Sequence, residues 1–243
     1  MNNLKTALII GATSSLATIF CRELAKQGWD LILCGRNRIE LETCSSDLII
    51  RHKINCKIEV ADLKSEKLSF KNIIMRSAPF NNIFVFSGLM ESNDTQDIEQ
   101  KINDVIRVNF SSITKILEAS ITELKKHEDS KIMVISSVAG DRGRKSNYIY
   151  GSAKAAINEY CSGLRNRLSK FKINVLTVKL GFVDTPMTYG INSKLIANRL
   201  YVSKKIISAL DHNKNITYIP FFWRYIMMII ISIPENIFKR LNL

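Results

Sequence analysis

A serine, a tyrosine and a lysine stand at a spacing that suits proton transfer. Ser137 follows the apolar run Ile132–Ile135, and Tyr150 precedes Lys154 by four residues in a segment with helical spacing. Residues four apart on a helix share one face, so the lysine ammonium is expected beside the phenol. A nearby cation stabilises a phenolate and would bring the tyrosine pKa down from its ordinary value of about 10. The pattern indicates a tyrosine acid–base group, with Ser137 holding the substrate oxygen.

A strand followed by a turn of small residues comes earlier in the chain. The apolar run Ala7–Ile10 leads into the turn and helix start Gly11–Ala17. Small side chains at such a place let backbone amides approach a pyrophosphate, and the next helix offers the positive end of its dipole. The alternative is an ordinary capped turn, with Ser14 or Ser15 as the N-cap.

The end of the second strand bears on the choice of cofactor. Asp30–Cys34 is followed by Arg36 and Arg38, with no acidic residue between them. An acidic residue here would bind the ribose hydroxyls of NAD, whereas an arginine binds a ribose 2′-phosphate through charge-assisted hydrogen bonds. Arg36 therefore predicts NADP(H). The alternative is a solvated arginine at the end of a strand.

Strand-like and helix-like segments alternate along the chain. Helical spacing extends over Leu16–Ala25 and Val105–Ile121. Short apolar runs between such segments are typical of parallel strands buried on both faces, and repeated βαβ units imply a doubly wound, Rossmann-type α/β sheet. No linker or repeat divides the first part of the chain, so we assign residues 1–217 to one catalytic domain. The expected strands are Ala7–Ile10, Leu31–Leu33, Ile58–Val60, Ile83–Phe86, Ile132–Ile135 and Val175–Val178.

Composition argues against several classes of function. The 243 residues carry a net charge of +13, which fits nucleic acid, an anionic membrane, a phosphate-bearing ligand or a solvated lysine-rich surface. Because the basic residues are scattered, nucleic acid ranks last. Five cysteines and three histidines show no metal-ligand spacing, so no metal is expected, and the odd cysteine count indicates reduced thiols in the cytoplasm. Residues 1–5 are too few for a signal peptide.

Taken together, these motifs resemble the short-chain dehydrogenase/reductase family over about residues 4–190. The resemblance rests on the YxxxK pair, a serine thirteen residues before the tyrosine, the flanking "ISSVAG" and the turn at Gly11. It implies an NADP(H)-dependent oxidoreductase that interconverts a ketone and a secondary alcohol. In that chemistry Tyr150 donates the proton, Ser137 orients the oxygen, and Lys154 also holds the nicotinamide ribose.

The resemblance assigns roles to further residues. Asn109 in "RVNFSS" corresponds to an asparagine that supports a proton-relay water, and Asp62 in "VADL" to a residue that hydrogen-bonds the adenine. "LGFVDTPM" resembles the loop in which Val183 and Thr185 contact the carboxamide. Each of these also has a purely structural alternative as a helix hydrogen-bonder, a cap or a turn residue. The implied cofactor residues are Gly11, Thr13, Ser14, Ser15, Leu16, Arg36, Asp62, Leu63, Ser87, Gly88, Tyr150, Lys154, Val183 and Thr185.

Three places depart from the family pattern. Ser15 and Ala17 stand where the turn normally carries its second and third glycines. The asparagine-alanine-glycine motif after the fourth strand is here residues 86–88, "FSG", and Leu180 replaces a proline. These changes bear on the pose of the cofactor more than on the chemistry.

The composition changes at about residue 218. Tyr218–Pro234 is almost wholly apolar, but it is shorter than the about 20 residues that span a bilayer, and Arg224 interrupts it. We expect residues 218–243 to form an apolar and basic tail with a helix in the membrane interface. The alternatives are a cover for a groove of the same chain or a dimer seal. The ending resembles reductases of polyprenyl-phosphoryl keto-sugars, which implies a lipid-linked ketone.

Three functions are therefore compared. The first is an NADPH-dependent ketoreductase of a lipid-linked keto-sugar in bacterial envelope glycan synthesis, cytoplasmic and peripheral at the inner face of the membrane. The second is a soluble reductase of a free ketone such as a 3-oxoacyl thioester, with the tail as a lid. The third is a non-catalytic nucleotide-sensing scaffold. A homo-oligomer is expected, and nucleic acid is not expected as a partner.

Overall fold

The centre of the structure is a sheet of seven strands, all paired in parallel. The computed structural model describes residues 5–91, 96–190 and 193–241; residues 1–4 and 242–243, which the predicted domain and tail include, lie outside these ranges. In chain order the strands are β1 (Thr6–Ile10), β2 (Asp30–Gly35), β3 (Cys56–Val60), β4 (Asn82–Val85), β5 (Lys131–Ser137), β6 (Asn174–Leu180) and β7 (Ile216–Ile219). The spatial order β3-β2-β1-β4-β5-β6-β7 confirms the predicted doubly wound α/β fold.

Helices cover both faces of this sheet. In the described ranges they are α1 (Ser15–Ala25), α2 (Arg38–His52), α3 (Phe70–Ser77), α4 (Ile98–Ile106), α5 (Ser112–Leu124), α6 (Tyr148–Leu168), α7 (Arg199–Asp211), α8 (Trp223–Ser232) and α9 (Glu235–Phe238). The buried residues of α1, α2 and α7 pack on one face, and those of α3, α5 and α6 pack on the other. The central strands between them are therefore shielded from water on both sides, whereas the edge strands β3 and β7 have exposed residues.

The strands show this double burial residue by residue. In β1, Ala7 and Ile9 belong to the apolar cluster on one face, and Leu8 and Ile10 belong to the cluster on the other. All four are buried. A strand covered on both faces has no polar side to alternate with, so it reads as an unbroken apolar run.

The helix predicted over Val105–Ile121 is interrupted. α4 ends at Ile106, α5 begins at Ser112, and Arg107–Ser111 form a π-helical turn between them. The predicted stretch is therefore helical throughout, with a change of helix type inside it that the spacing did not show. Such turns widen the helix by a residue and occur often at functional sites. This one contains Asn109, which is fully buried.

The seventh strand lies where the sequence analysis placed the start of the tail. β7 pairs with β6 and crosses the proposed boundary between residues 217 and 218, so the first tail residues belong to the sheet. Beyond it, α8 places Trp223 and Met227 in a buried cluster with Val138. Among the described residues, no helix combines the length and the apolar character needed to cross a membrane.

Arg142 holds the end of α8. Its Nη1 donates to the carbonyl oxygens of Ile230 (2.6 Å), Ile231 (3.0 Å) and Ile233 (2.6 Å), and its Nη2 forms an ion pair with Glu235 at 3.0 Å. The last carbonyls of a helix have no partner within the helix, so this guanidinium satisfies them. It thereby ties the tail to the loop that precedes α6.

Candidate active site

The carboxyl ends of the strands open into a cleft of about 780 Å³. In doubly wound sheets ligands bind at this edge, where the strand order reverses. All residues expected to contact the cofactor line this one cleft: Gly11, Thr13, Ser14, Ser15, Leu16, Arg36, Asp62, Leu63, Ser87, Gly88, Tyr150, Lys154, Val183 and Thr185. Ser137 lines it as well, whereas Asn109 is buried behind the lining.

The first turn of the cleft depends on its single glycine. Gly11 has φ = +78°, and a Cβ there would lie 2.8 Å from both the backbone nitrogen and the Oγ of Ser87. Ser14 caps α1, since its Oγ accepts from the Ala17 N–H at 3.3 Å. The N-cap of the alternative interpretation is therefore present, at Ser14. The first N–H groups of a helix have no partner within the helix, so the start of α1 is a place where a pyrophosphate could bind.

The two arginines after β2 have different surroundings. Arg36 lines the cleft and has no ion pair within the described ranges. Arg38 forms an exposed ion pair with Glu42 at 3.5 Å and does not line the cleft. On the neighbouring strand, two residues after the end of β3, Asp62 accepts a hydrogen bond from the Lys64 N–H at 3.0 Å. Of the two arginines after β2, Arg36 is therefore the one whose guanidinium N–H groups are available to a ligand in the cleft.

Ser137, Tyr150 and Lys154 come together at the middle of the cleft. Ser137 is the last residue of β5, and its Oγ accepts from the Ala139 N–H at 3.1 Å. Tyr150 and Lys154 lie on successive turns of α6, with Lys154 Nζ 5.5 Å from the centroid of the phenol ring. Nζ also donates to the carbonyl oxygen of Ile135 at 3.1 Å, which fixes the buried side chain in place.

The pKa shifts of the pair correct one expectation. Burial raises the pKa of Tyr150 to about 12, although its hydrogen bond with Ser137 acts in the opposite direction. Burial also lowers the pKa of Lys154 to about 8. The expected lowering of the tyrosine pKa by the lysine is therefore absent, because loss of hydration of the phenolate dominates. At neutral pH the phenol is held in its protonated form.

The amide of Asn109 joins the π-helical turn to the cleft wall. Its Oδ1 accepts from the Leu89 N–H at 3.2 Å, and its Nδ2 donates to the oxygens of Leu89 (2.7 Å) and Val105 (2.8 Å). Both amide hydrogens are thus used. The expected relay water would have to be held by an oxygen of Asn109.

The loop after β6 forms the far wall. Val183 pairs with Ala197 in an isolated bridge, and its carbonyl oxygen accepts from the Thr188 Oγ1 at 2.7 Å. The Thr185 N–H donates to the same Oγ1 at 3.2 Å. Thr188 therefore holds in place both residues that the resemblance assigned to the carboxamide.

Several wall residues were missed by the sequence reasoning. Arg144 and Asn147 line the cleft from the loop between β5 and α6, and Phe182 lines it after β6. The basic stretch between Ser137 and Tyr150 was visible in the sequence. Nothing in its spacing showed which of its side chains turns toward the cleft.

Comparison with known proteins shows the family of the chain. A family model described as short chain dehydrogenase matches residues 5–196. An oxidoreductase of Staphylococcus epidermidis is 27% identical over 192 residues, which are 76% of this chain and 81% of the relative. An oxidoreductase of Mycobacterium tuberculosis is 23% identical over 240 residues, 96% of each chain.

Solved structures share the fold. A short-chain dehydrogenase from Sphingobium yanoikuyae, in complex with NADPH, has a TM-score of 0.83 at 21% identity and covers 96% of this chain and 97% of its own. A bulky-bulky ketone specific alcohol dehydrogenase from Comamonas testosteroni has a TM-score of 0.82 at 20% identity, with 96% of each chain covered. Because the family model spans most of the chain, the protein is an oxidoreductase that belongs to the short-chain dehydrogenase family.

Proposed function

We propose that the protein is an NADPH-dependent ketoreductase. The observation that carries this proposal is the placement of Ser137, Tyr150 and Lys154 in one cleft, with the Lys154 ammonium beside the phenol ring. Reduction of a carbonyl needs an acid at the developing alkoxide, and a protonated phenol is such an acid. The NADPH complex of the Sphingobium relative supports the choice of cofactor.

The cleft fits NADPH at three points. Gly11 leaves room for backbone to approach a pyrophosphate at the start of α1, and Arg36 offers free donors to a ribose phosphate. Lys154 has two ammonium donors beyond its bond to Ile135, and a Cβ at Gly88 would lie 3.7 Å from its Nζ. The two remaining donors of this ammonium suit the hydroxyls of the nicotinamide ribose.

Tyr150 and Ser137 act on the oxygen of the ketone. When bound, the reduced nicotinamide supplies the hydride. As negative charge develops on the substrate oxygen, the Ser137 hydroxyl donates a hydrogen bond to it and the Tyr150 phenol gives it a proton. The O–H bond of the alcohol forms as the phenolic O–H bond breaks. The nearby Lys154 ammonium then stabilises the phenolate, which recovers its proton from water.

Purified protein and NADPH test the proposal with a panel of lipid-linked and free ketones. Consumption of NADPH that depends on the ketone and yields the secondary alcohol is the expected result. Turnover of free ketones alone, with lipid-linked ketones inert, would favour the soluble-reductase function instead. Tight NADPH binding without turnover of any ketone would leave the scaffold function.

The substrate that we propose is a lipid-linked keto-sugar reached from a membrane surface. α8 lies directly behind the wall of the cleft, because Trp223 packs edge-on against the cleft residue Phe182 with ring centroids 5.2 Å apart. Its opposite side is exposed and apolar, as is part of α9. The exposed large apolar residues of this tail surface are Phe221, Tyr225, Met228, Ile229, Ile231, Ile237 and Leu241.

Charge supports an anionic bilayer as the occupant of this tail surface. Arg224, Lys239 and Arg240 are exposed around it. The whole chain carries a net charge of +13. Interfacial helices bind through buried apolar area together with attraction to anionic lipids, and salt screens the second contribution. A substrate whose lipid chain stays in the bilayer would enter the cleft beside α8.

The tail surface is tested by substitution rather than deletion, because a chain ending at residue 217 would lose half of β7 and the buried Trp223 and Met227. Ile229→Glu places a charge at an exposed apolar position, and Ile50→Glu on α2 is the matched control. We expect the wild type and Ile50→Glu to co-sediment with phosphatidylglycerol vesicles. Burial of one isoleucine is worth roughly 1.5–3 kcal/mol, so Ile229→Glu should bind about tenfold or more weakly. Equal binding of all three proteins would count against the membrane proposal.

A further inference from the structure

Two polar groups without partners line the cleft next to the catalytic tyrosine. Arg144 and Asn147 lie in the loop between Ser137 and α6. Arg144 Nε and Asn147 Oδ1 are both buried and make no hydrogen bond with the described residues. Buried polar atoms are rarely left unpaired, so each such atom calls for an explanation.

The surroundings of Arg144 do not neutralise its charge. Its Nη2 reaches the carbonyl oxygen of Val138 only at 3.5 Å and the Sδ of Met227 at 3.7 Å. The nearby carboxylate of Asp141 is held by an ion pair with Lys179 and by the hydroxyl of Tyr218 at 2.9 Å. Arg144 therefore has no ion pair within the described ranges.

A guanidinium in this setting favours an anion. Burial lowers the pKa of Arg144, yet arginine stays charged in proteins, so the cost of lost hydration remains until a negative group arrives. Its planar fork matches the oxygens of a carboxylate or a phosphate. Neutral ligands could not offset that cost to the same degree.

The location of Arg144 separates it from the adenosine end of the cleft. Arg36 follows β2, whereas Arg144 follows β5, and the strand order β2-β1-β4-β5 puts three strand spacings between them. At about 4.8 Å per spacing, the strand ends are about 14 Å apart. Arg144 thus lies at the end of the cleft that holds Ser137 and Tyr150, away from Arg36.

We propose that Arg144 is a specificity residue that binds an anionic group, carboxylate or phosphate ester, carried by the ketone substrate. That the ligand is a substrate rests on the proposed reductase function, whereas the existence of the anion site does not depend on it. Asn147 offers an acceptor to a hydroxyl of the same ligand.

The test compares ketones that differ in one charge. Dihydroxyacetone phosphate is paired with dihydroxyacetone, and levulinate with its methyl ester, which separates phosphate from carboxylate. Each is titrated into the full-length protein with NADPH bound, and affinity is followed by tryptophan and nicotinamide fluorescence; KM and kcat are measured where turnover occurs. The variants are Arg144→Met, Arg144→Lys and, as a matched control, Lys145→Met at an exposed position of the same loop.

We expect the wild type and Lys145→Met to prefer an anionic member of at least one pair. Because Arg144→Met removes hydrogen bonds between charged groups, we expect it to weaken the binding of the anionic ketone about 10- to 100-fold. The affinity for the neutral ketone of the pair should change little. Arg144→Lys should recover part of the loss. The affinity for NADPH should be the same in all variants.

Three results would overturn the proposal. The first is a wild type that binds the charged and the neutral ketone of each pair equally well. The second is an equal loss of affinity for the charged and the neutral ketone in Arg144→Met. The third is a lower affinity of Arg144→Met for NADPH, which would place Arg144 at the cofactor. If the anion preference persists although no ketone is reduced, the ketoreductase proposal fails and the anion site stands.

Discussion

A Cβ at residue 181 would lie 1.9 Å from the indole Nε1 of Trp223, so the indole fills the space that any other side chain at this position would need. Gly181 directly follows β6, and Trp223 is the first residue of α8. The indole Nε1 is buried and has no hydrogen-bond acceptor among the described residues. At the start of α8, shape rather than a hydrogen bond therefore holds the indole against residue 181.

Gly181→Ala should lower stability, because the added methyl group cannot fit beside the indole. Overpacking of this kind costs typically about 1–3 kcal/mol. The melting temperature of the variant measures the loss. Gly163→Ala in α6 is the control, since no atom lies within 4 Å of its Cβ, and it should be neutral or stabilising. Adding Trp223→Leu to Gly181→Ala should restore part of the lost stability. A Gly181→Ala protein as stable as the wild type would contradict the packing described.

Tyr150→Phe should reduce turnover while leaving the fold and NADPH binding intact. The variant keeps the ring and loses the proton donor, so the loss should reach at least about 10²–10⁴-fold, the range of general acid–base groups. Steady-state kinetics measures this, and nicotinamide fluorescence measures binding. Tyr148→Phe, half-exposed at the start of the same helix, should retain full activity. Near-normal turnover in Tyr150→Phe would remove the phenol from the mechanism.

Arg36→Ala should weaken the binding of NADPH and leave that of NADH nearly unchanged, because only NADPH carries the 2′-phosphate. A hydrogen bond to a charged group is worth roughly 1.5–3 kcal/mol, or about one to two decades in Kd. Fluorescence titration with both cofactors measures the effect. Arg38→Ala is the matched control, since Arg38 pairs with Glu42 outside the cleft. A wild type that prefers NADH would contradict the role given to Arg36.

Lys154 should make the cofactor-free protein less stable near neutral pH than at alkaline pH. Its pKa is about 8 in the folded protein against an ordinary value of 10.5, so between these values the unfolded chain binds more protons and the free energy of unfolding rises with pH. Below pH 8 the cost of burying the charge is present in full, and it amounts to roughly 3 kcal/mol.

Urea unfolding of the wild type and Lys154→Met at about pH 7 and about pH 10 checks this linkage. The methionine variant should be the more stable protein at the lower pH, and its advantage should shrink at the higher pH. Comparison of the two proteins cancels the other groups that titrate in this range. An advantage that stays constant with pH would show that the Lys154 pKa is not lowered.

The fold could be predicted from the sequence because most strands are buried on both faces. β1, β4 and β5 show that burial as continuous apolar runs, and the spacing of Ser137, Tyr150 and Lys154 identified the centre of the cleft. β7 escaped prediction for the opposite reason. It is a four-residue edge strand that begins with an exposed isoleucine, and its sequence merges with the apolar residues of the tail.

Other features depend on contacts between distant residues, which a local pattern does not contain. The π-helical turn at Asn109 is accompanied by hydrogen bonds to Leu89, twenty residues earlier, and neither glycine nor proline marks it in the sequence. The raised pKa of Tyr150 likewise results from the burial of the phenol by residues from several parts of the chain. The nearby lysine in the sequence gives no sign of this burial.

Arg142 makes the loop before the catalytic tyrosine and the C-terminal helices a single unit for protein engineering. A tail grafted from another reductase would not bring carbonyl oxygens to the same three places around this guanidinium. Each donor left without a partner would cost about 1–3 kcal/mol. Exchange of substrate-binding segments between relatives should therefore transfer residues 141–147 and 230–238 together, as one cassette.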